Sequence, residues 1–247
     1  MKKIGKLAAA IVSLPLSPVA NAQDYNGNFM VRLQAAEVFT QDHLKSLRSV
    51  SGAPVRDLEN AGFNAVVSDQ LLPTATLTYF FNKNLAVELF CCFSRHHVDL
   101  SAPPAFSTLS GKVAETWIFP PALTLQYHFD GMGAFKPYVG VGAQWIHFFN
   151  EGTGSNTLQS SGVNFQDAFG VTLQAGLDVA IGNGWYLNAD VKKSWLGTTA
   201  IWQNSAVTGG NIAAKVDLDP LIVSGGIGYR FNLEDVFGQR SASAQLK

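Results

Sequence analysis

Eight separate stretches of this chain alternate apolar with small or polar side chains at a period of two, and that leaves little besides a large antiparallel sheet. In the first half, Phe29, Val31, Leu33 and Ala35 alternate with Met30, Arg32 and Gln34. Ala75, Leu77, Tyr79 and Phe81 alternate with three threonines, Thr74, Thr76 and Thr78. Leu85 to Phe93 and Leu123 to Phe129 follow the same rule. The second half repeats it over Val139–Trp145, Phe169–Val179, Trp185–Val191 and Leu221–Phe231. An even number of strands, each with one apolar face, can close into a barrel and leave no unpaired edge.

The connections alternate as well. Asn82-Lys83-Asn84, Asp130 to Phe135 and Gly182-Asn183-Gly184 read as tight turns. Residues 41–62, 97–111, 150–164 and 200–213 read as long loops of polar or small residues. Aromatics gather at both strand ends, with Tyr79, Phe81, Tyr127, Phe129, Trp185, Tyr229 and Phe231 beside the short turns. Phe39, Phe93, Trp117, Trp145 and Trp195 lie toward the long loops. Two aromatic girdles, short turns and long loops predict an all-β, eight-stranded antiparallel transmembrane barrel of the outer membrane, with periplasmic turns, extracellular loops and lipid as its surroundings. Composition agrees. Charged residues make up 14% of the chain against about 25% in an average soluble domain. No mature segment has the roughly 20 consecutive apolar residues of a spanning helix. The soluble alternative, a secreted barrel of lipocalin type, would turn its apolar face inward around a cavity.

Lys2, Lys3 and Lys6 precede an apolar run from Leu7 to Leu16, and Ala20-Asn21-Ala22 follows. This is the pattern of a secretory signal peptide, residues 1–22, cut after Ala22. Its removal takes three of the 17 basic residues and none of the 18 acidic ones, leaving a mature formal charge of −4. A negative chain with no basic face is not expected to bind nucleic acid. The barrel is then assigned to residues 23–231 and a polar periplasmic tail to residues 232–247. Adjacent Cys91 and Cys92 point to opposite faces of a strand, which suits packing rather than a staple or a metal clip.

Strand parity turns Arg32, Glu88, Asp178, Asp190, Lys192 and Arg230 inward. Eight strands enclose a bore just wide enough for side chains, so these charges are expected to pair. A paired network can act as an ion pathway or as a plug that fixes the barrel, and the narrow bore favours the plug over an open aqueous pore. No cofactor motif is present. A lipid-modifying hydrolase would need a nucleophile and an acidic group beside one of His96, His97, His128 or His147. Ser94 and Asp99 near His96-His97 are the available candidates, without a distinctive nucleophile motif. As a metal pair, His96 and His97 diverge.

Several segments in order resemble the outer membrane protein W (OmpW) family. They are Asn84-Leu85-Ala86-Val87-Glu88-Leu89, Pro120-Pro121-Ala122-Leu123-Thr124-Leu125-Gln126-Tyr127-His128-Phe129, Phe135-Lys136-Pro137-Tyr138-Val139-Gly140-Val141-Gly142 and Phe148-Phe149. Leu218-Asp219-Pro220 and Gly228-Tyr229-Arg230-Phe231 complete the series. The resemblance spans residues 29–231 and implies an eight-stranded barrel with a narrow channel, associated with uptake of small hydrophobic molecules. Family members usually end at the final aromatic, whereas this chain runs on to Lys247. The expected partners are outer-membrane lipid, a small hydrophobic solute and the barrel-assembly machinery, with the barrel itself a monomer.

Two successive prolines, Pro120 and Pro121, remove two ladder donors where a closed wall should have none missing. They mark either an irregular strand start or a break through which an apolar solute leaves sideways into the bilayer. In the second case Phe90 would floor an upper hydrophobic pocket, with Trp117 or Phe119 helping. A third role, a structural barrel whose loops bind partners without transport, is equally compatible with this sequence.

Overall fold

The computed structural model describes residues 27–40, 43–49, 62–68 and 70–234. The expected leader and the tail beyond Glu234 lie outside the described residues, as does most of segment 41–62. The chain forms fifteen strands among the described residues. The first eight are β1 (Phe29–Phe39), β2 (His43–Ser49), β3 (Asn64–Val67), β4 (Gln70–Phe80), β5 (Leu85–Cys91), β6 (Ser94–Ser101), β7 (Gly111–Phe119) and β8 (Ala122–His128). They are followed by β9 (Phe135–Gly152), β10 (Gly162–Phe165), β11 (Ala168–Gly182), β12 (Trp185–Trp195), β13 (Gly197–Ser205), β14 (Gly210–Asp217) and β15 (Leu221–Phe231).

Eight of these close a ring in the order β1-β4-β5-β8-β9-β11-β12-β15 and back to β1, every pairing antiparallel. They are the eight alternating stretches of the sequence. The closing seam pairs Phe29 with Phe231 and Phe39 with Leu221, so the first and last strands complete the wall. Parity decides which side chains meet which solvent. Thr172 is 0% exposed inside while its neighbour Leu173 is 48% exposed outside. Leu33, Leu77, Leu89, Leu123, Val141 and Ile227 share the outer face, and Thr78, Glu88, Gln126 and Asp190 are buried within. An apolar exterior around a polar interior is the polarity of a barrel standing in lipid, and it excludes the lipocalin arrangement.

The short turns carry the expected chemistry. Asn82 Oδ1 accepts the N–H groups of Asn84 and Leu85 at 2.9 and 2.8 Å, closing that turn through a side chain. Gly182, Asn183 and Gly184 have φ of 103°, 54° and 81°, a left-handed run that glycine and asparagine tolerate best. Lys83 Nζ reaches Asp130 of the next turn at 3.0 Å. That hydrogen bond, with one from the Gly131 N–H, holds the Asp130 carboxyl down at about 2. Ring pairs Phe29–Tyr79, Tyr127–Phe129 and Trp185–Tyr229, with centroids 4.9 to 5.2 Å apart, form the girdle at this end.

At the other end the structure corrects the sequence reading. Much of 97–111, 150–164 and 200–213, expected to be loop, is strand. The upper half of β9 pairs with β7, β7 with β6 and β6 with β3, while β10, β13, β14 and β2 form a second sheet. The wall therefore continues above the girdle, and β9, β12 and β13 carry their inward parity up into it. Along β12 and β13 the inward residues run Asp190, Lys192, Ser194, then Leu196, Thr198, Ala200 and Trp202. The reason is the change of solvent. Above the bilayer the outer face meets water, so the apolar residues move inside.

The Leu218-Asp219-Pro220 segment joins the two tiers. Asp219 takes φ of 34°, its carboxylate accepts the Leu196 N–H at 2.9 Å, and its carbonyl accepts from Lys193 Nζ. At the opposite end Asn232 Oδ1 accepts the Asn28 N–H at 3.0 Å, one residue past the last strand. A chain truncated after Asn232 is thus expected to assemble and to keep a heat-modifiable band on gels. Loss of that band would put residues 233–247 in the fold or its assembly signal.

Candidate functional site

The barrel interior is divided into two chemistries, one above the other. The upper part is a cavity of about 1300 Å³ of empty space, its open mouth included, walled almost wholly by apolar side chains. Val113, Phe148, Phe165, Trp202, Ile212 and Val216 are among the residues that line it. Trp202 keeps its ring in that wall by donating Nε1–H to the Val113 carbonyl at 2.9 Å. Beneath the cavity packs a small apolar cluster of Ala36, Leu72, Phe90, Cys92, Ala122 and Ile222, of which Cys92 and Ile222 line it. Phe90 is 1% exposed, and Lys192 Nζ lies 5.0 Å from its ring centroid on the lower side.

Directly below Phe90 lies a layer of buried charged and polar side chains, with a second apolar cluster of Met30, Phe80, Ala86, Ala180 and Tyr186 beneath it. Arg32 forks onto Asp178, with Nε to Oδ1 at 3.0 Å and Nη2 to Oδ2 at 2.5 Å. Its Nη1 donates to Glu88 Oε2 at 2.9 Å and to Thr78 Oγ1 at 2.6 Å. Lys192 Nζ bridges Asp190 at 2.6 Å and Glu88 at 3.1 Å. Gln174 Nε2 ties Glu88 and Asp190 together at 2.9 and 2.7 Å, and the Tyr138 hydroxyl donates to Asp190 at 2.6 Å. The Tyr138 ring has room because Gly176 faces it, where a Cβ would lie 2.3 Å from Cζ. Charges buried this deeply are tolerable only with such complete pairing. The structure therefore brings together five of the six charges named from parity. Arg230 sits nearer the short-turn end, its Cζ 3.8 Å from the Phe80 ring centroid and its Nε donating to the Gly27 carbonyl at 2.7 Å.

Pro120 and Pro121 lie between β7 and β8, and they affect the two flanks differently. Toward β9 the wall stays closed. The Trp145 N–H donates to the Pro121 carbonyl at 3.0 Å, and pairing resumes at Phe119 with His147. Toward β5 and β6 it does not. The β5–β8 ladder ends at Phe90 with Ala122, and the β6–β7 ladder begins at Ser94 with Ile118. Cys91, Cys92 and Phe93 thus face Phe119, Pro120 and Pro121 with no ladder pair among the described residues. On this flank the Pro120 nitrogen is a missing donor, while the Pro121 nitrogen lies on the β9 side with its carbonyl. Cys92 and Pro120 line the cavity at this gap, and Phe93 stacks on Phe119 outside it with centroids 4.9 Å apart.

Two of the residues named for the pocket need correcting. Trp117 and Phe119 do not line it; Thr116, Ile118 and Pro120 do. Inward parity passes through the prolines without a slip, so Trp117 and Phe119 of β7 face outward along with Phe93. Strand alternation also divides the histidine candidates. Ser94 Oγ meets His96 Nε2 at 3.0 Å on the inner face, whereas His97 pairs with Asp99 at 3.4 Å on the outer one. His128 is stacked in the lower lumen between Phe80 and Tyr138, and His147 meets Asp167 outside at 2.9 Å. Cys91 and Cys92 are both free thiols. The cavity wall itself went unseen in the sequence, although Ile212, Ala214, Val216 and Leu218 alternate with Ala213, Lys215 and Asp217.

Known proteins place this architecture. The sequence profile described as the OmpW family matches residues 25–231. Outer-membrane protein y4mB of Sinorhizobium fredii is 32% identical over 92% of this chain and 90% of its own length. Outer membrane protein W of Escherichia coli is 31% identical over 94% of this chain and 100% of its own. Among solved structures, OprG of Pseudomonas aeruginosa superposes with a TM-score of 0.75 at 29% identity, covering 86% of this chain and 100% of that one. The chain belongs to the OmpW family and is an eight-stranded β-barrel of the outer membrane.

Proposed function

We propose that this barrel takes up small hydrophobic molecules through its extracellular cavity and releases them sideways into the bilayer beside Pro120 and Pro121. One arrangement carries the reading: the apolar cavity ends on the cluster around Phe90 above a paired ionic layer, while its wall lacks ladder pairs between Cys91–Phe93 and Phe119–Pro121. An apolar solute gains by leaving water for the cavity, at about 25 cal/mol per Å² of its surface buried. Continuing downward would trade that contact for buried charges already satisfied by one another, and nothing there favours an apolar guest. The gap offers the lower route. Its outer cover is the Phe93–Phe119 stack, two side chains that need only change rotamer, and lipid lies beyond. The family resemblance, with its link to small hydrophobic molecules, points the same way.

Substituting both Pro120 and Pro121 with Val restores both backbone donors. The double variant is expected to fold, by heat-modifiable migration, and to take up a small hydrophobic solute into liposomes several-fold more slowly than the parent. Unchanged uptake in the folded variant would rule out the sideways exit. Absence of uptake by the parent would favour a barrel that acts through its extracellular surface instead.

A further inference from the structure

Gln144 stands out among the residues of the cavity wall. Its side chain is 1% exposed and lines the cavity at the level of the floor, where β9 pairs Gln144 with Ala122. Its Nε2 donates to the Pro120 carbonyl at 3.4 Å, but its Oε1 has no partner. The amide cannot simply be turned over, since that would set oxygen against the Pro120 carbonyl oxygen. Among the described residues three other buried side-chain oxygens lack partners, on Gln34, Thr76 and Ser224, and none of those residues lines the cavity. A buried acceptor left unmatched is costly. The oxygen is itself covered, so a guest in the cavity matches it once the Gln144 amide swings toward the opening that its residue lines.

The remaining polar groups of the wall sharpen the choice of guest. Thr40 Oγ1 donates to the Val67 carbonyl, Thr198 Oγ1 to the Gln166 carbonyl and Thr116 Oγ1 to the Phe149 carbonyl. His96 Nδ1 faces the Ser68 carbonyl at 3.0 Å, which can only accept, so the proton sits on Nδ1 and Nε2 accepts from Ser94 Oγ. The hydroxyl hydrogens of the wall are therefore committed to other protein atoms, while acceptor lone pairs remain. A guest with a donor finds a partner at Gln144. A guest with only an ether or ester oxygen finds no wall hydroxyl to bond it.

We infer that the cavity floor is a binding site for one hydroxyl group on an apolar body, a phenol or an aliphatic alcohol, which donates to Gln144 Oε1. The inference rests on the uptake reading and names its solute class. It also sets the solute beside the gap, because Gln144 holds the carbonyl of the first proline. Pairing an otherwise orphaned acceptor with a neutral donor corresponds to about a tenfold gain in affinity.

The test compares 4-butylphenol with its methyl ether, 4-butylanisole, which differ in whether the oxygen can donate. Equilibrium dialysis of the full-length barrel in lipid nanodiscs, corrected by empty nanodiscs, reads both affinities. The parent is expected to bind the phenol about tenfold more tightly than the ether. Gln144→Leu, or Gln144→Met should the first not fold, is expected to bring the two to within about twofold while keeping the ether bound. Equal binding by the parent, or a preference that survives in the folded variant, would overturn the hydroxyl site and leave hydrophobic uptake standing. If the parent binds neither compound, the cavity is no solute site and both readings fall.

Discussion

Arg32→Ala is expected to destabilise the barrel by about 3–5 kcal/mol, the usual cost of breaking a buried ion pair from one side. The substitution removes the fork on Asp178 and the bond to Glu88 together, and both carboxylates stay where water cannot easily reach them. Lys192 remains close enough to serve Glu88 but makes no contact with Asp178. Arg32→Lys should lose less, because the charge is kept and only the two-pronged geometry is lost. Urea unfolding in lipid vesicles measures both. A loss below about 1 kcal/mol for the alanine variant, in the range of solvated surface pairs, would mean that the ionic layer is wet. The layer would then be a pathway for ions rather than a barrier to apolar solutes.

The second large effect belongs to the outer face. Leu173→Arg is expected to cost about 2–4 kcal/mol, since a guanidinium near mid-membrane has no water and no partner. Thr172→Ser, one residue away, should change stability by less than about 0.5 kcal/mol, because the hydroxyl that meets Ser194 Oγ at 2.8 Å is retained. The same unfolding assay applies. Equal effects at the two positions would contradict the inside-out polarity on which the membrane assignment rests.

The lower barrel was legible because one signal dominated it. Between the girdles a strand side chain has two choices, lipid or a polar bore, so Leu173 and Thr172 announce their directions by type alone. Tight turns such as Gly182-Asn183-Gly184 announce themselves through backbone chemistry. The upper tier hid for the opposite reason. Above the lipid, water replaces hydrocarbon outside, and the apolar face passes to the lumen without a change of parity. Ile212, Ala214, Val216 and Leu218 then look like scattered apolar residues in a polar loop, although they are one wall of the cavity. Trp117 and Phe119 were misplaced by the same step, because aromatic size suggested a pocket while parity already pointed them outward. The partner of each charge was beyond reach, since Arg32 to Asp178 spans 146 positions and depends on the order of strands around the ring.

Lateral release is tested most directly by a small hydrophobic solute carrying a diazirine, photolysed while the barrel is passing it in liposomes, with labelled residues mapped by mass spectrometry. Only inward-facing positions are informative, since lipid-dissolved probe labels the outer face in any case. Sideways exit is expected to label the cavity wall and then Cys92 and Pro120 at the gap, and to spare Met30, Phe80 and Tyr186 of the vestibule beneath the ionic layer. Labelling of Met30, Phe80 and Tyr186, with Cys92 and Pro120 spared, would contradict it and show that the solute runs straight through.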